Sequence, residues 1–210
     1  MRVRVKICGI TTPEDALTAA EAGADAIGVV FYKKSPRYVS PQKAREIARV
    51  LPPFVDVVGV FVDAPRKEVK EIAKLAGLSA LQFHGEEPPG YCTGWNIRVI
   101  KAFRAGEGFS PSRLALYKVN GYLLDAYHPE LPGGTGQIAD WDVVLRAKEY
   151  GPVILAGGLS PENVAEAVKK VRPFGVDVSS GVEKAPGVKD PEKVRAFIEA
   201  VERASKEAEV

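Results

Sequence analysis

Residues 153–178 read VILAGGLSPENVAEAVKKVRPFGVDV, and this stretch decides the fold. It opens on an apolar run, Val153–Ala156, then a glycine turn, Gly157-Gly158. Ser160-Pro161 follows as a helix start, because a side-chain oxygen accepts an orphan N–H and proline suits the first helical position. Val164, Ala167, Val168 and Val171 lie at i, i+3, i+4 and i+7, so they stripe one helix face. A second apolar run, Val176–Val178, closes the stretch. Strand, capped helix and strand within a short span make a βαβ unit, which pairs its strands in parallel.

Working outward, the same unit recurs along all 210 residues. Further apolar runs fall at Val3–Cys8, Ala26–Phe31, Val57–Val62, Ala80–Phe83, Ile97–Phe103 and Tyr122–Leu124. Several are continuously apolar rather than alternating, as expected of parallel strands covered on both faces. Ala44, Ile47, Ala48 and Leu51, and again Val194, Phe197, Ile198 and Val201, repeat the helical stripe. Thr12-Pro13, Ser40-Pro41 and Asp190-Pro191 repeat the capped start, while Gly23 and Gly77 mark helix ends. Eight strand–helix units favour a closed α/β barrel, (β/α)8, over an open doubly wound sheet. Cys8-Gly9-Ile10-Thr11 after the first strand is also not a dinucleotide turn. The expectation is one domain over 1–210, with 204–210 a frayed polar tail.

Composition narrows the function. The chain is 46% apolar and 27% charged, with a net charge of +2. Such balance gives no basic footprint for nucleic acid. No apolar run approaches the ~20 residues of a membrane span, and no secretory signal is visible. Two cysteines, Cys8 and Cys92, make no disulfide framework. A cytoplasmic protein is expected. Sparse Asn and Gln, one Met and 16 Pro are a habit shared with heat-stable proteins.

Barrel chemistry sits at the C-terminal strand ends. The loops Ala156-Gly157-Gly158-Leu159-Ser160 and Ser179-Ser180-Gly181 there offer bare backbone N–H groups, the usual phosphate cradle after strands seven and eight. Cys8 ends strand one and is a nucleophile, a base or inert filler; Cys92 reads as filler. Asp125 ends strand six, where an idle carboxylate is costly to bury; its rival reading is a cap. Asp63, two residues before Pro65, fits a cap of helix three. Asp177 either supports the phosphate loop or contacts the ligand. Gln82 and His84 leave strand four. Arg37 is either a bidentate grip on a carboxylate or one more solvated charge. His128 reads as loop, and two histidines so far apart do not make a metal site. Gly133-Gly134-Thr135-Gly136 reads as a lid over the mouth.

The residues then carry a resemblance. KICGIT at 6–11, FYKKSPRYVSP at 31–41, VGVFVDAP at 58–65, LQFHGEE at 81–87, LLDA at 123–126, PGGTG at 132–136, LAGGLSPENV at 155–164 and DVSSGVE at 177–183 resemble the phosphoribosylanthranilate isomerases. Phe83 stands where that family usually has Leu, and Ala139 where an aromatic is common. The resemblance implies an Amadori rearrangement in tryptophan biosynthesis, with Asp125 as general acid and Cys8 as general base. It further implies Arg37, His84 and Gln82 around the substrate, and Gly157, Gly158, Asp177, Ser179, Ser180 and Gly181 around its phosphate. No cofactor or metal is implied, and both monomers and homodimers fit. The chemistry asks for an Asp125 that keeps its proton and a Cys8 whose pKa is lowered by a positive field. Two rivals remain: a metal-dependent epimerase or Schiff-base aldolase using Lys101, and a non-catalytic phosphosugar-binding module.

Overall fold

The computed structural model describes residues 2–106, 108–125 and 141–207. His128, the 133–136 glycine loop and Ala139 lie outside them. Eight strands close a parallel barrel: β1 (Arg4–Cys8), β2 (Ala26–Val30), β3 (Asp56–Phe61), β4 (Ala80–Phe83), β5 (Arg98–Arg104), β6 (Gly121–Asp125), β7 (Val153–Ala156) and β8 (Gly175–Val178). The ring shuts where β8 pairs with β1, with Lys6 opposite Asp177.

Alternation along each strand builds two cores. Val5, Ile7, Ile27, Val29, Leu155 and Val176 face outward into the layer shared with the helices. Cys8, Val30 and Val60, with Ala102, Leu123 and Ala156, face the barrel interior. Both faces are therefore dry, which is why the strands read as unbroken apolar runs.

The helices are α1 (Pro13–Glu21), α2 (Pro41–Arg49), α3 (Arg66–Ala76), α4 (Trp141–Ala147), α5 (Val164–Val171) and α6 (Pro191–Glu207). Three capped starts form as read. Thr12 accepts from the Asp15 N–H at 3.1 Å, Ser40 from Lys43 at 3.1 Å, and Asp190 from Glu192 at 3.0 Å. Gly77, at φ 68°, ends α3 in the left-handed conformation.

Four expectations change. Ser160-Pro161 begins a turn rather than α5, which starts at Val164. Asn163 staples that turn instead, accepting from Ser160 N and donating to Gly158 O at 2.9 Å. Asp63 does not cap α3; its carboxylate accepts from Glu86 N at 2.8 Å, and Pro65 stands at the cap without a side-chain bond. Of the tail expected to fray, 204–207 is helical, because Ala204 and Ser205 are buried and Ser205 accepts from Val3 N, while 208–210 lie outside the described residues.

The fourth change concerns the rhythm itself. No helix joins β4 to β5: Pro88, Pro89, Gly90 and Gly94 break the segment into turns. Tyr91 and Trp95 fill the gap against Phe83, and the Arg66 guanidinium lies 4.1 Å over the Trp95 ring. Between β5 and β6 stands only a 3-10 turn, Pro111–Leu116. A ring this lean closes because two crossovers dispense with their α-helix. Cys92 sits in the first of them, buried, its thiol pushed up to about 11 by burial. Filler is the right reading of it.

Candidate active site

The C-terminal ends of β1, β4, β6, β7 and β8 surround a cavity of about 340 Å³. Cys8, Gln82, His84, Asp125, Gly157, Gly158, Asp177, Ser179 and Ser180 all line it. Thiol and carboxyl thus open on one space from opposite parts of the ring. Arg37 and Gly181 stand just outside the lining.

The two glycine-bearing loops form one wall. Gly157 and Gly158 take positive φ (88° and 64°), turning the chain sharply after β7. Gly181 packs directly on the Leu159 carbonyl, leaving no room for a Cβ, so the loops after β7 and β8 interlock. The segment after β8 is a 3-10 turn, Ser180–Val182. It leads into a short hairpin of β9 (Glu183–Ala185) and β10 (Val188–Lys189) before α6 begins. Ser179 Oγ is buried beside this wall without a hydrogen-bond partner among the described residues, and so is Gln82 Oε1. Leaving such atoms unpaired costs on the order of 1–3 kcal/mol each, so they mark places where a polar ligand belongs.

Asp125 and His84 adjoin, His84 Nε2 lying 3.9 Å from Asp125 Oδ2. Burial lowers the His84 pKa, against the pull of Asp125 and Asp177. The Gln82 side-chain amide lies 2.9 Å from His84 Nδ1 and holds the ring in place beside Asp125.

Cys8 departs from expectation. Burial pushes its thiol up; Lys6 and, more weakly, Lys189 oppose that, while Asp177 adds to it. A positive field is present, as the sequence reading asked, but desolvation outweighs it. Asp177, expected at the phosphate, turns its carboxylate to Lys6 at 2.8 Å in the floor of the site.

Arg37 is held by a protein carboxylate. Its Nε and Nη2 reach Glu183 at 2.8 and 2.6 Å, a bidentate fork that raises the Arg37 pKa further. Glu183 also accepts from Lys189 at 2.9 Å. Burial works to raise the Glu183 pKa, yet Arg37 and Lys189 together hold it below the usual carboxylate range. The stem of Arg37 crosses above Gly9, next to Ser179.

Sequence reasoning missed Lys6, Glu183 and Lys189. For Lys6 a signal existed, since positions 6 and 8 of one strand share a face. The basic run Arg2-Val3-Arg4-Val5-Lys6 disguised it as solvated charge. Lys101, the lysine a Schiff-base aldolase would use, is committed elsewhere: its ammonium donates to Phe83 O, Gly85 O, Ala102 O and Glu87. No three His, Cys, Asp or Glu converge on a metal-sized point among the described residues.

A thiol, a carboxyl and two glycine-bearing loops on one barrel cavity fit the class that its relatives give, an isomerase of the aldose–ketose type. The family model described as N-(5'phosphoribosyl)anthranilate (PRA) isomerase matches residues 5–200. The chain belongs to that family. It is 59% identical over 195 residues to the N-(5'-phosphoribosyl)anthranilate isomerase of Citrifermentans bemidjiense, covering 93% of this chain and 95% of that one. Among solved structures, the phosphoribosyl anthranilate isomerase of Thermotoga maritima superposes with a TM-score of 0.87 at 47% identity, over 95% of this chain and 98% of that one. A phosphoribosyl anthranilate isomerase in complex with reduced 1-(o-carboxyphenylamino)-1-deoxyribulose 5-phosphate matches at 0.85 and 45%, with the same coverage.

Proposed function

We propose that Cys8 and Asp125 carry the two proton transfers of the family's reaction. That reaction is the isomerisation, in tryptophan biosynthesis, of N-(5-phosphoribosyl)anthranilate to 1-(2-carboxyphenylamino)-1-deoxyribulose 5-phosphate. Asp125 gives a proton to the furanose ring oxygen, and the ring opens to a Schiff base. Cys8 removes the proton from C2, leaving an enolamine. The enolamine loses its hydroxyl proton and gains one at C1 to become the aminoketose. Exchange with solvent then returns Asp125 to the acid and Cys8 to the base, so protons balance and no electrons leave the substrate.

His84, its pKa lowered by burial, stands beside Asp125 at the cavity wall. The loops at Gly157, Gly158, Ser179, Ser180 and Gly181 take the phosphate. Asp177, itself an anion, anchors the floor rather than the phosphate. Arg37, pre-oriented by Glu183, offers its remaining N–H groups to the anthranilate carboxylate. The observation that carries this reading is the single cavity shared by Cys8, Asp125 and the two glycine-bearing loops.

The test follows anthranilate-conjugate fluorescence with freshly made substrate. Cys8→Ala is expected to abolish turnover while still binding the reduced product analogue. Asp125→Asn is expected to lose kcat by ~10²–10⁴, the range of acid–base catalysis, with affinity little changed. Near-normal turnover in Cys8→Ala, or a rise in KM alone in Asp125→Asn, sinks the assignment.

We further infer a homodimer formed through the opposite, N-terminal end of the barrel. Phe54, wholly exposed at φ 73°, and Phe174 stand at a second cavity of about 380 Å³ there. A side chain so apolar is costly to leave in water. The Thermotoga maritima relative, 43% identical in a structure of its engineered monomers, is described as dimeric. No helix among the described residues is long and apolar enough to cross a membrane; a cytoplasmic location is our reading for an enzyme of this pathway.

A further inference from the structure

One layer below the thiol, on the same face of β1, Lys6 points into the barrel. The residue is 5% exposed, and its ammonium donates to Asp177 Oδ1 at 2.8 Å across the pairing of β1 with β8. The ammonium also lies near the Cys8 sulfur, two residues along the same face of the strand. Gly28, opposite Cys8 on β2, makes this meeting possible. A Cβ there would lie 2.7 Å from Cys8 Sγ and 3.1 Å from Lys6 Nζ. Thiol and ammonium meet in the space that glycine leaves.

Burial drives both groups toward their neutral forms. For Lys6, burial is outweighed by Asp177 and Cys8, and its pKa ends above the ordinary value, so the ammonium stays charged. Other charged groups also face the thiol. Lys189 on β10 and Arg37 after β2 are cationic but shared with Glu183, while His84 and Asp125 lie across the cavity. Lys6 is the cation that shares the Gly28 space with the sulfur, and it approaches from below, outside the lining of the cavity.

We propose that Lys6 is a positioning residue for the isomerisation: anchored by Asp177, its ammonium fixes the Cys8 sulfur at the cavity wall and stabilises the thiolate that takes the C2 proton. The inference rests on Cys8 being the base. Desolvation raises the thiol even with the ammonium in place, and without the ammonium nothing so near would oppose that rise. Asp177 keeps the ammonium from losing its own proton.

Lys6→Met tests this. The readout is the pH dependence of Cys8 alkylation by iodoacetamide, followed by peptide mass, beside kcat and KM profiles. In Lys6→Met the alkylation midpoint is expected to move up by about one pH unit or more, a tenfold slowing below it. The acid limb of kcat should move with it, and KM should hardly change. Should Asp177, left buried without its partner, prevent folding, Lys6→Met/Asp177→Asn removes both charges and is expected to show an upward movement relative to Asp177→Asn alone, smaller than that of Lys6→Met because Asp177 itself raises the thiol. A folded variant with an unmoved midpoint overturns the proposal. If instead the midpoint moves but wild-type protein never converts the aldosylamine, the functional reading fails and the Lys6–Cys8 coupling stands.

Discussion

Glu183 gathers more charge than any other side chain near the site: two bonds from Arg37, one from Lys189 and one from Gly187 N, with its own side chain 5% exposed. Lys189 beside it is wholly enclosed. Glu183→Gln leaves that ammonium without a counter-charge, and breaking such a pair costs about 3–5 kcal/mol. The pH dependence has a definite sign. A carboxyl whose folded pKa is depressed contributes stability above its unfolded value of about 4.3, and that stability is lost as pH falls through the folded value. Denaturant midpoints of wild type and variant should therefore differ most at neutral pH and converge under acid. A gap that stays constant down to acid pH would remove Glu183 from this role. None of it was legible in the sequence, where Glu183 closes the DVSSGVE stretch with no sign that Arg37 returns across the fold to meet it. The thiol shows a related limit. The family resemblance implied a positive field near Cys8, but only depth in the barrel says whether burial or charge prevails.

At the scale of elements, the strands were read within a residue or two at each end, because dry faces on both sides leave an unmistakable apolar run. Two crossovers were not. A helical stripe is a positive signal; its lack in Gly90-Tyr91-Cys92-Thr93 says nothing of what fills the outer ring, and aromatic rings under Arg66 do so here. The interlock of the β7 and β8 loops is likewise invisible in sequence, since Gly181 reads as a turn residue. Gly181→Ala would press a methyl group into the Leu159 carbonyl and part the two loops. We expect KM and the product-analogue Kd to rise tenfold or more, with overpacking costing about 1–3 kcal/mol of stability. Calorimetric titration checks the first and thermal unfolding the second. Unchanged affinity would place the phosphate elsewhere.

For the whole molecule, the count of eight strands and the alternating βα rhythm sufficed for closure. The sequence offered no means of telling an outward apolar residue in a helix stripe from one on the rim, so the surface at Phe54 went unread. Phe54→Glu should yield a monomer by sedimentation with the barrel still folded, because that ring touches nothing of its own chain's core. A variant that stays dimeric would move the interface to another face. The change lies at the far end from the chemistry, so turnover should survive it.

Lys6 borders the lower chamber and Asp177 the upper one, which makes the barrel's waist an ionic bond rather than hydrocarbon. Matched apolar side chains in place of an enclosed ion pair often give a tougher protein, by about 1–4 kcal/mol. Here that exchange would strip the sulfur of its cation. Selection for endurance and selection for turnover therefore pull in opposite directions on the same two residues, and a variant bred only for heat resistance is apt to surrender its catalysis at the waist first.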